Sequence, residues 1–183
     1  MTAKDMFSHR VSILTGHYGT GKTEVSVNLA LALAAEGEQV MLADLDIVNP
    51  YFRSRERRPL LEKAGVRVIS SSQACSDADV PALPAELLTI LENYQLIFVL
   101  NANRPEVRDA ESAAAYLRSI EAVTGLTCSG LVNNTHLCGE TTPAEIRKGV
   151  ALAQEVSRQT GIPILCHTAE RRFLESLSDL GEP

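Results

Sequence analysis

The stretch ILTGHYGTGKTEV, residues 13–25, decides the reading of this chain. Gly16 to Thr23 fits the spacing G-x-x-x-x-G-K-[ST]. The apolar run Val11-Ser12-Ile13-Leu14 before it reads as a buried strand. A helical pattern follows, with Val25, Leu29 and Leu33 among alanines, until Gly37 stops it. Three glycines let the backbone bend tightly and turn successive N–H groups inward, which makes a concave anion site. A helix beginning near Lys22 adds the positive end of its dipole at the same point. Lys22 is then placed to reach the β- and γ-phosphates of a nucleotide, and the Thr23 hydroxyl to coordinate Mg²⁺. The expected phosphate-binding segment is Gly16, His17, Tyr18, Gly19, Thr20, Gly21, Lys22, Thr23 and Glu24. The competing reading, a glycine-rich turn with a surface lysine, leaves the strand before it and the helix after it as coincidence.

Composition sets the bounds. The chain has 183 residues, 45% hydrophobic and 22% charged, with no Trp. That is long enough for one well-buried domain and short for two, so a single domain over residues 1–183 is expected. A net charge of -6 argues against a surface that coats nucleic acid, where Lys and Arg must neutralise phosphates. The four cysteines, Cys75, Cys128, Cys138 and Cys166, form no C-x-x-C pair and no zinc-like spacing, which suits a reduced cytoplasmic chain. No apolar run approaches the length of a membrane span, and the first ten residues lack the apolar core of a signal peptide. A cytoplasmic protein with no membrane contact is expected.

Apolar runs alternate with helical patterns from end to end. Strands are expected at Val11–Thr15, Gln39–Ala43, Val66–Ser70, Leu96–Leu100, Thr127–Asn133 and Ile162–Cys166. Helices are expected near 23–36, 53–64, 84–93, 109–124, 143–160 and 170–179. Thr142-Pro143-Ala144-Glu145 is a helix start, with a capping Thr and Pro at the first helical position. Runs such as LIFVL and VMLA are continuous and not alternating, which suits a parallel sheet covered on both faces. The fold class is therefore α/β, a doubly wound, mostly parallel sheet flanked by helices in a three-layer sandwich, with ligands beyond the carboxyl ends of the strands.

At one such end, strand two closes in Asp44-Leu45-Asp46. Two acids two residues apart face the same side of a strand, where they can hold Mg²⁺ through water or orient a water on the γ-phosphate. The alternative is an Asx turn closing the strand, with Asn49-Pro50 marking the loop. Tyr51-Phe52 and arginines 53, 55, 57 and 58 follow. They read as a solvated helix face with aromatics anchoring a loop, ahead of a single-strand nucleic-acid patch.

GHYGTGKT followed by DLDIVNPYF resembles the MinD/ParA-type P-loop ATPases, the CobQ/CobB/MinD/ParA nucleotide-binding group, and the resemblance runs from the first strand to IPILCHT. It implies a mostly parallel sheet flanked by helices, ATP with Mg²⁺ as ligand, and dimers closed face to face around the nucleotide. By position it gives Lys22 and Thr23 the phosphate and magnesium roles. Asp46 becomes the first switch aspartate, which positions water as a catalytic partner of Lys22, with Asp44 just before it. Asn134, in GLVNNTHL, falls where an asparagine recognises adenine, and Asn133 is its rival. An amide does offer both a donor and an acceptor to a base edge.

The chain departs from this family twice. Where many members carry a second lysine after the first glycine of the loop, this chain has His17, a shorter and pH-dependent substitute, with shaping of the loop as its alternative role. The family also has a strand beside the phosphate-loop strand that ends in an Asp-x-x-Gly sequence, and no such sequence occurs here. LIFVL, running into Asn101-Ala102-Asn103-Arg104-Pro105, resembles the following strand. Three explanations stand side by side: an internal deletion, LIFVL taking the vacant place with Asn101 for Asp, or a sequence shorter than the native one. The leading functional expectation is Mg-dependent ATP binding with slow hydrolysis, acting as a nucleotide switch through a nucleotide-dependent homodimer. The alternatives are a nucleotide-gated binding module without turnover, and a small-molecule kinase or ligase of related fold.

Overall fold

The sequence signals convert into structure most directly at the helix ends. The structure, a computed structural model, describes residues 2–44, 54–70 and 93–180. Asp109 caps α4 (Ala110–Thr124) by accepting from the Ser112 N–H, and Gly125 closes it in the left-handed conformation. Thr142 caps α5 (Pro143–Thr160), with Pro143 at the first position, and Gly161 ends it the same way. The remaining helices are α1 (Ala3–Met6), α2 (Lys22–Ala35) and α3 (Ser54–Lys63). The strands are β1 (Val11–Thr15), β2 (Met41–Asp44), β3 (Arg67–Ser70), β4 (Tyr94–Leu100), β5 (Cys128–Asn133) and β6 (Ile164–His167). The helix expected near 84–93 falls almost wholly outside the described residues.

Contacts group the chain into two units, each assembled from separated segments. The first comprises residues 1–11 and 23–94. In it β2 and β3 pair in parallel, Met41 opposite Arg67 and Asp44 opposite Ser70. Alternation puts Leu42 and Val68 on one face, where they pack with Val27 and Ala30 of α2, Leu61 of α3 and Val66. Of the arginine-rich segment, Arg57 is exposed and Arg58 half-buried, while Arg53 lies outside the described residues. Arg58 pairs with Glu62 at 2.9 Å, one turn along α3, and Arg57 stands 3.9 Å from Glu24.

The second unit comprises residues 12–22 and 95–183. Its sheet has the order β1-β4-β5-β6, with β4/β5 and β5/β6 parallel. Leu96 to Leu100 are all at most 1% exposed, as a strand covered on both faces must be. Helix α5 packs on β5 and β6 and against α4, burying Ile146, Val150, Ala153 and Val156. Parallel strands flanked by helices are the α/β architecture read from the continuous apolar runs.

One local outcome differs from expectation, and a second falls among the readings left open. The patterned segment 170–179 is not an α-helix but two 3₁₀ stretches, Arg171–Phe173 and Glu175–Leu180. Arg147 of α5 explains this: its guanidinium grips both oxygens of Asp179 and takes the Ser176 carbonyl at 2.8 Å. That carbonyl is then committed outside the segment, and Ser176 donates its own hydroxyl back to Phe173 O, a local bond that competes with helix propagation. The second outcome concerns LIFVL. It lies between β1 and β5, and among the described residues no strand pairs with the other edge of β1. All five residues of β1 are only half-buried, in contrast to β4.

The described cysteines differ in reactivity. Cys138 is exposed, Cys128 is buried with its thiol pushed up by burial, and burial pushes the Cys166 thiol up to about 11. Since the thiolate is the nucleophile, a maleimide added to the native chain near about pH 8 is expected to label Cys138 first among these three. Peptide mapping that finds Cys128 or Cys166 modified as fast would contradict the packing described here.

Candidate functional site

The loop between β1 and α2 takes the shape its glycines demand. Gly16, Gly19 and Gly21 all have positive φ, 144°, 74° and 84°. Space excludes side chains as firmly as conformation does. A Cβ on Gly16 would stand 2.5 Å from the Val99 carbonyl oxygen, and one on Gly21 would overlap the Asn134 amide.

Side chains hold the carbonyls of this loop almost one by one. Lys22 Nζ donates to Gly16 O at 2.9 Å and to His17 O at 3.1 Å. The Thr20 hydroxyl also donates to His17 O, at 2.9 Å. Arg104 Nε donates to Gly19 O at 2.9 Å, and Asn134 Nδ2 to Thr20 O at 2.8 Å. A trans peptide points its N–H opposite its carbonyl, so fixing these oxygens fixes the direction of the next N–H groups. The Thr20 N–H closes the turn on His17 O at 3.3 Å, and the loop's other N–H groups form oriented dipoles of the kind that receives an anion.

The ends of three strands supply these braces. After β4, Asn101 is fully buried and donates its amide to His136 O, while its Oδ1 accepts from Asn103 N–H. Asn101 therefore spends both halves of its amide on its own chain. After β5, Asn134 takes the Thr168 hydroxyl on Oδ1 at 2.5 Å, which ties the phosphate loop to the residue after β6. Its neighbour Asn133 turns elsewhere: fully buried, it accepts from the Thr135 hydroxyl at 2.7 Å and meets His167 Nδ1 at 3.2 Å. Of the two asparagines, Asn134 alone meets the loop, and its amide braces it.

His17 turns toward its own chain. Its ring packs edge-on to Tyr116 of α4 with centroids 5.4 Å apart, and Nδ1 lies 3.1 Å from Tyr18 O and 3.4 Å from Glu106 Oε2. Tyr18 is 71% exposed at the tip. Thr23 and Glu24 form the first turn of α2, where Thr23 O accepts from the Ser26 hydroxyl at 2.9 Å. Asp44 is the last residue of β2, its backbone paired opposite Ser70. Asp46 lies outside the described residues. Among the described residues no group of three or more His, Cys, Asp or Glu side chains gathers to hold a metal ion, and no helix is long and apolar enough to cross a membrane.

Sequence reading missed Arg104 and Thr168. Both directly follow strands, Arg104 four residues after β4 and Thr168 next to β6, so closer attention to every strand end would have found them.

Comparison with known proteins agrees with this geometry. A family model described as ParA, NUBPL iron-transfer P-loop NTPase, matches residues 6–55. The iron-sulfur cluster carrier protein of Escherichia coli (strain K12) is 50% identical over 40 residues, 22% of this chain and 11% of that protein. The cytosolic Fe-S cluster assembly factor cfd1 of Emericella nidulans is 33% identical over 103 residues, 56% of this chain and 29% of that protein. This chain thus spans less than a third of either relative. A nucleotide-binding protein from Archaeoglobus fulgidus, solved in complex with ADP, superposes with a TM-score of 0.53 at 20% identity, over 99% of this chain and 91% of that one. In its first third the chain is thus similar to ParA-type P-loop NTPases, and its α/β fold is that of a nucleotide-binding protein.

Proposed function

We propose that this chain is an Mg-dependent ATP-binding protein that hydrolyses ATP slowly and works in the cytoplasm as a nucleotide switch, one domain over residues 1–183 that pairs with a second copy around the nucleotide. The observation that carries the reading is the loop itself, whose carbonyls at residues 16, 17, 19 and 20 are each held by a side-chain donor. Such a loop presents N–H groups already oriented for phosphate, and phosphoryl transfer is mostly positioning and charge neutralisation. Lys22 would stabilise charge on the transferred group, Thr23 would ligate Mg²⁺ with Asp44 and Asp46, and Asp46 would direct water. Asn134 would meet the adenine edge while continuing to brace Thr20.

A second reading, a nucleotide-gated binding module without turnover, has its own support. The sequence lacks an Asp-x-x-Gly segment, and among the described residues no strand pairs with the other edge of β1. The match to the bacterial iron-sulfur carrier spans 40 residues, 22% of this chain and 11% of that protein. It therefore supports nucleotide chemistry and stops short of a cargo.

Calorimetric titration with Mg-ATP, followed by timed measurement of ADP release, separates these readings. Micromolar binding with slow ADP release is expected. Binding without release over many hours would favour the module, and no binding at all would end both readings.

A further inference from the structure

Arg104 lies 85 residues from Gly19 in sequence and against it in space. Its Nε donates to Gly19 O at 2.9 Å, and a Cβ on Gly19 would stand 2.8 Å from the guanidinium carbon and 2.9 Å from one terminal nitrogen. The plane of the guanidinium is therefore packed flat against the apex of the phosphate loop. Nothing about this contact is loose at the arginine end. Arg104 N–H donates to Asn101 O at 3.0 Å, and Pro105 restricts the next φ. The Ala102 N–H donates to the buried Thr135 hydroxyl at 3.0 Å, and Lys148 Nζ holds Asn103 Oδ1 at 2.8 Å. The loop after β4 is thus a rigid arm with a cation at its end.

That arm does two things a lysine could not do as well. A guanidinium donates along a fixed direction from a planar fork, so it sets the orientation of the carbonyl it grips. Gripping Gly19 O aims the Thr20 N–H the other way, onto His17 O at 3.3 Å, because the peptide between them is planar and trans. It also leaves a full positive charge beside the loop, while His17 is turned toward Glu106 and Tyr116.

We propose that Arg104 is a positioning residue of the phosphate loop, holding the Gly19–Thr20 peptide whose N–H closes the turn on His17 O, so that the loop keeps the shape in which it receives the polyphosphate of a bound nucleotide. This rests on the nucleotide reading above, and its test is built so that the two can fail separately. The test compares Arg104→Ala and Arg104→Lys with the wild-type chain in two ways. In Mg-ATP titrations, Arg104→Ala should weaken binding about tenfold, the scale of one charge-assisted hydrogen bond, and Arg104→Lys by clearly less. In the nucleotide-free chain, amide hydrogen exchange over residues 16–22 should quicken in Arg104→Ala while β4 and β5 keep their protection. Unchanged exchange in the loop, or an equal loss throughout β4 and β5, would overturn the proposal, the latter by showing a merely structural side chain. So would Mg-ATP affinity within twofold of wild type. If the wild-type chain binds no nucleotide, the functional reading fails, and loop exchange alone still decides what Arg104 does.

Discussion

Lys22→Ala is expected to weaken Mg-ATP binding by on the order of a hundredfold, about 2.7 kcal/mol, because it deletes a cation that makes more than one charge-assisted hydrogen bond. Lys22 opens α2, and its Nζ already lies across the loop between the Gly16 and His17 carbonyls. From there a bound polyphosphate competes with two neutral acceptors, and its charge wins. The side chain is only half-buried, so the fold should survive its loss. Calorimetry on a variant whose circular dichroism matches wild type makes the comparison clean. Affinity within a few-fold of wild type would mean that the loop binds no phosphate at this lysine, and the functional reading would fall with it.

Gly149→Val is expected to lower the melting midpoint by about 10 °C, from a loss of roughly 3–5 kcal/mol in overpacking and broken buried hydrogen bonds. Gly149 sits on the buried side of α5, and any Cβ there would overlap the Thr135 side chain and come within 2.5 Å of Asn133 Oδ1. Neither neighbour can step aside cheaply. Thr135 donates its hydroxyl to Asn133 Oδ1 and accepts the Ala102 N–H, so rotating it away orphans a buried donor on β4's loop. Gly149→Ala should fall between wild type and Gly149→Val. A valine variant that melts within two or three degrees of wild type, in a thermal scan followed by circular dichroism, would show that α5 shifts freely and that this packing is not tight.

These two residues mark different depths of legibility. Lys22 could be read from its neighbours, since strand, glycine turn and helix lie within one continuous stretch. The start of α5 was legible for the same reason: Thr142 and Pro143 act on backbone groups a few residues away. Gly149 carries no such mark. In a helical pattern it is only a weak helix former, and its necessity comes from Thr135 on a different element. The segment 170–179 misled for a related reason. Its periodicity is genuinely helical, but Arg147 withdraws the Ser176 carbonyl from the helix, and no local rule anticipates a donor 29 residues away.

By itself the sequence determined the α/β class, the order of the described strands, and the glycine turn between β1 and α2, because each is encoded by spacing within a few residues. Only the tertiary structure decided how that loop is held. Asn134 reaches Thr20 from 114 residues away and Arg104 reaches Gly19 from 85. Both do so because parallel strands all end on the same side of the sheet, which gathers the loops after β1, β4, β5 and β6 into one place. Strand ends that are remote in the chain become neighbours only when the sheet orders them, and a side chain's partner there depends on that order and not on its own surroundings in sequence.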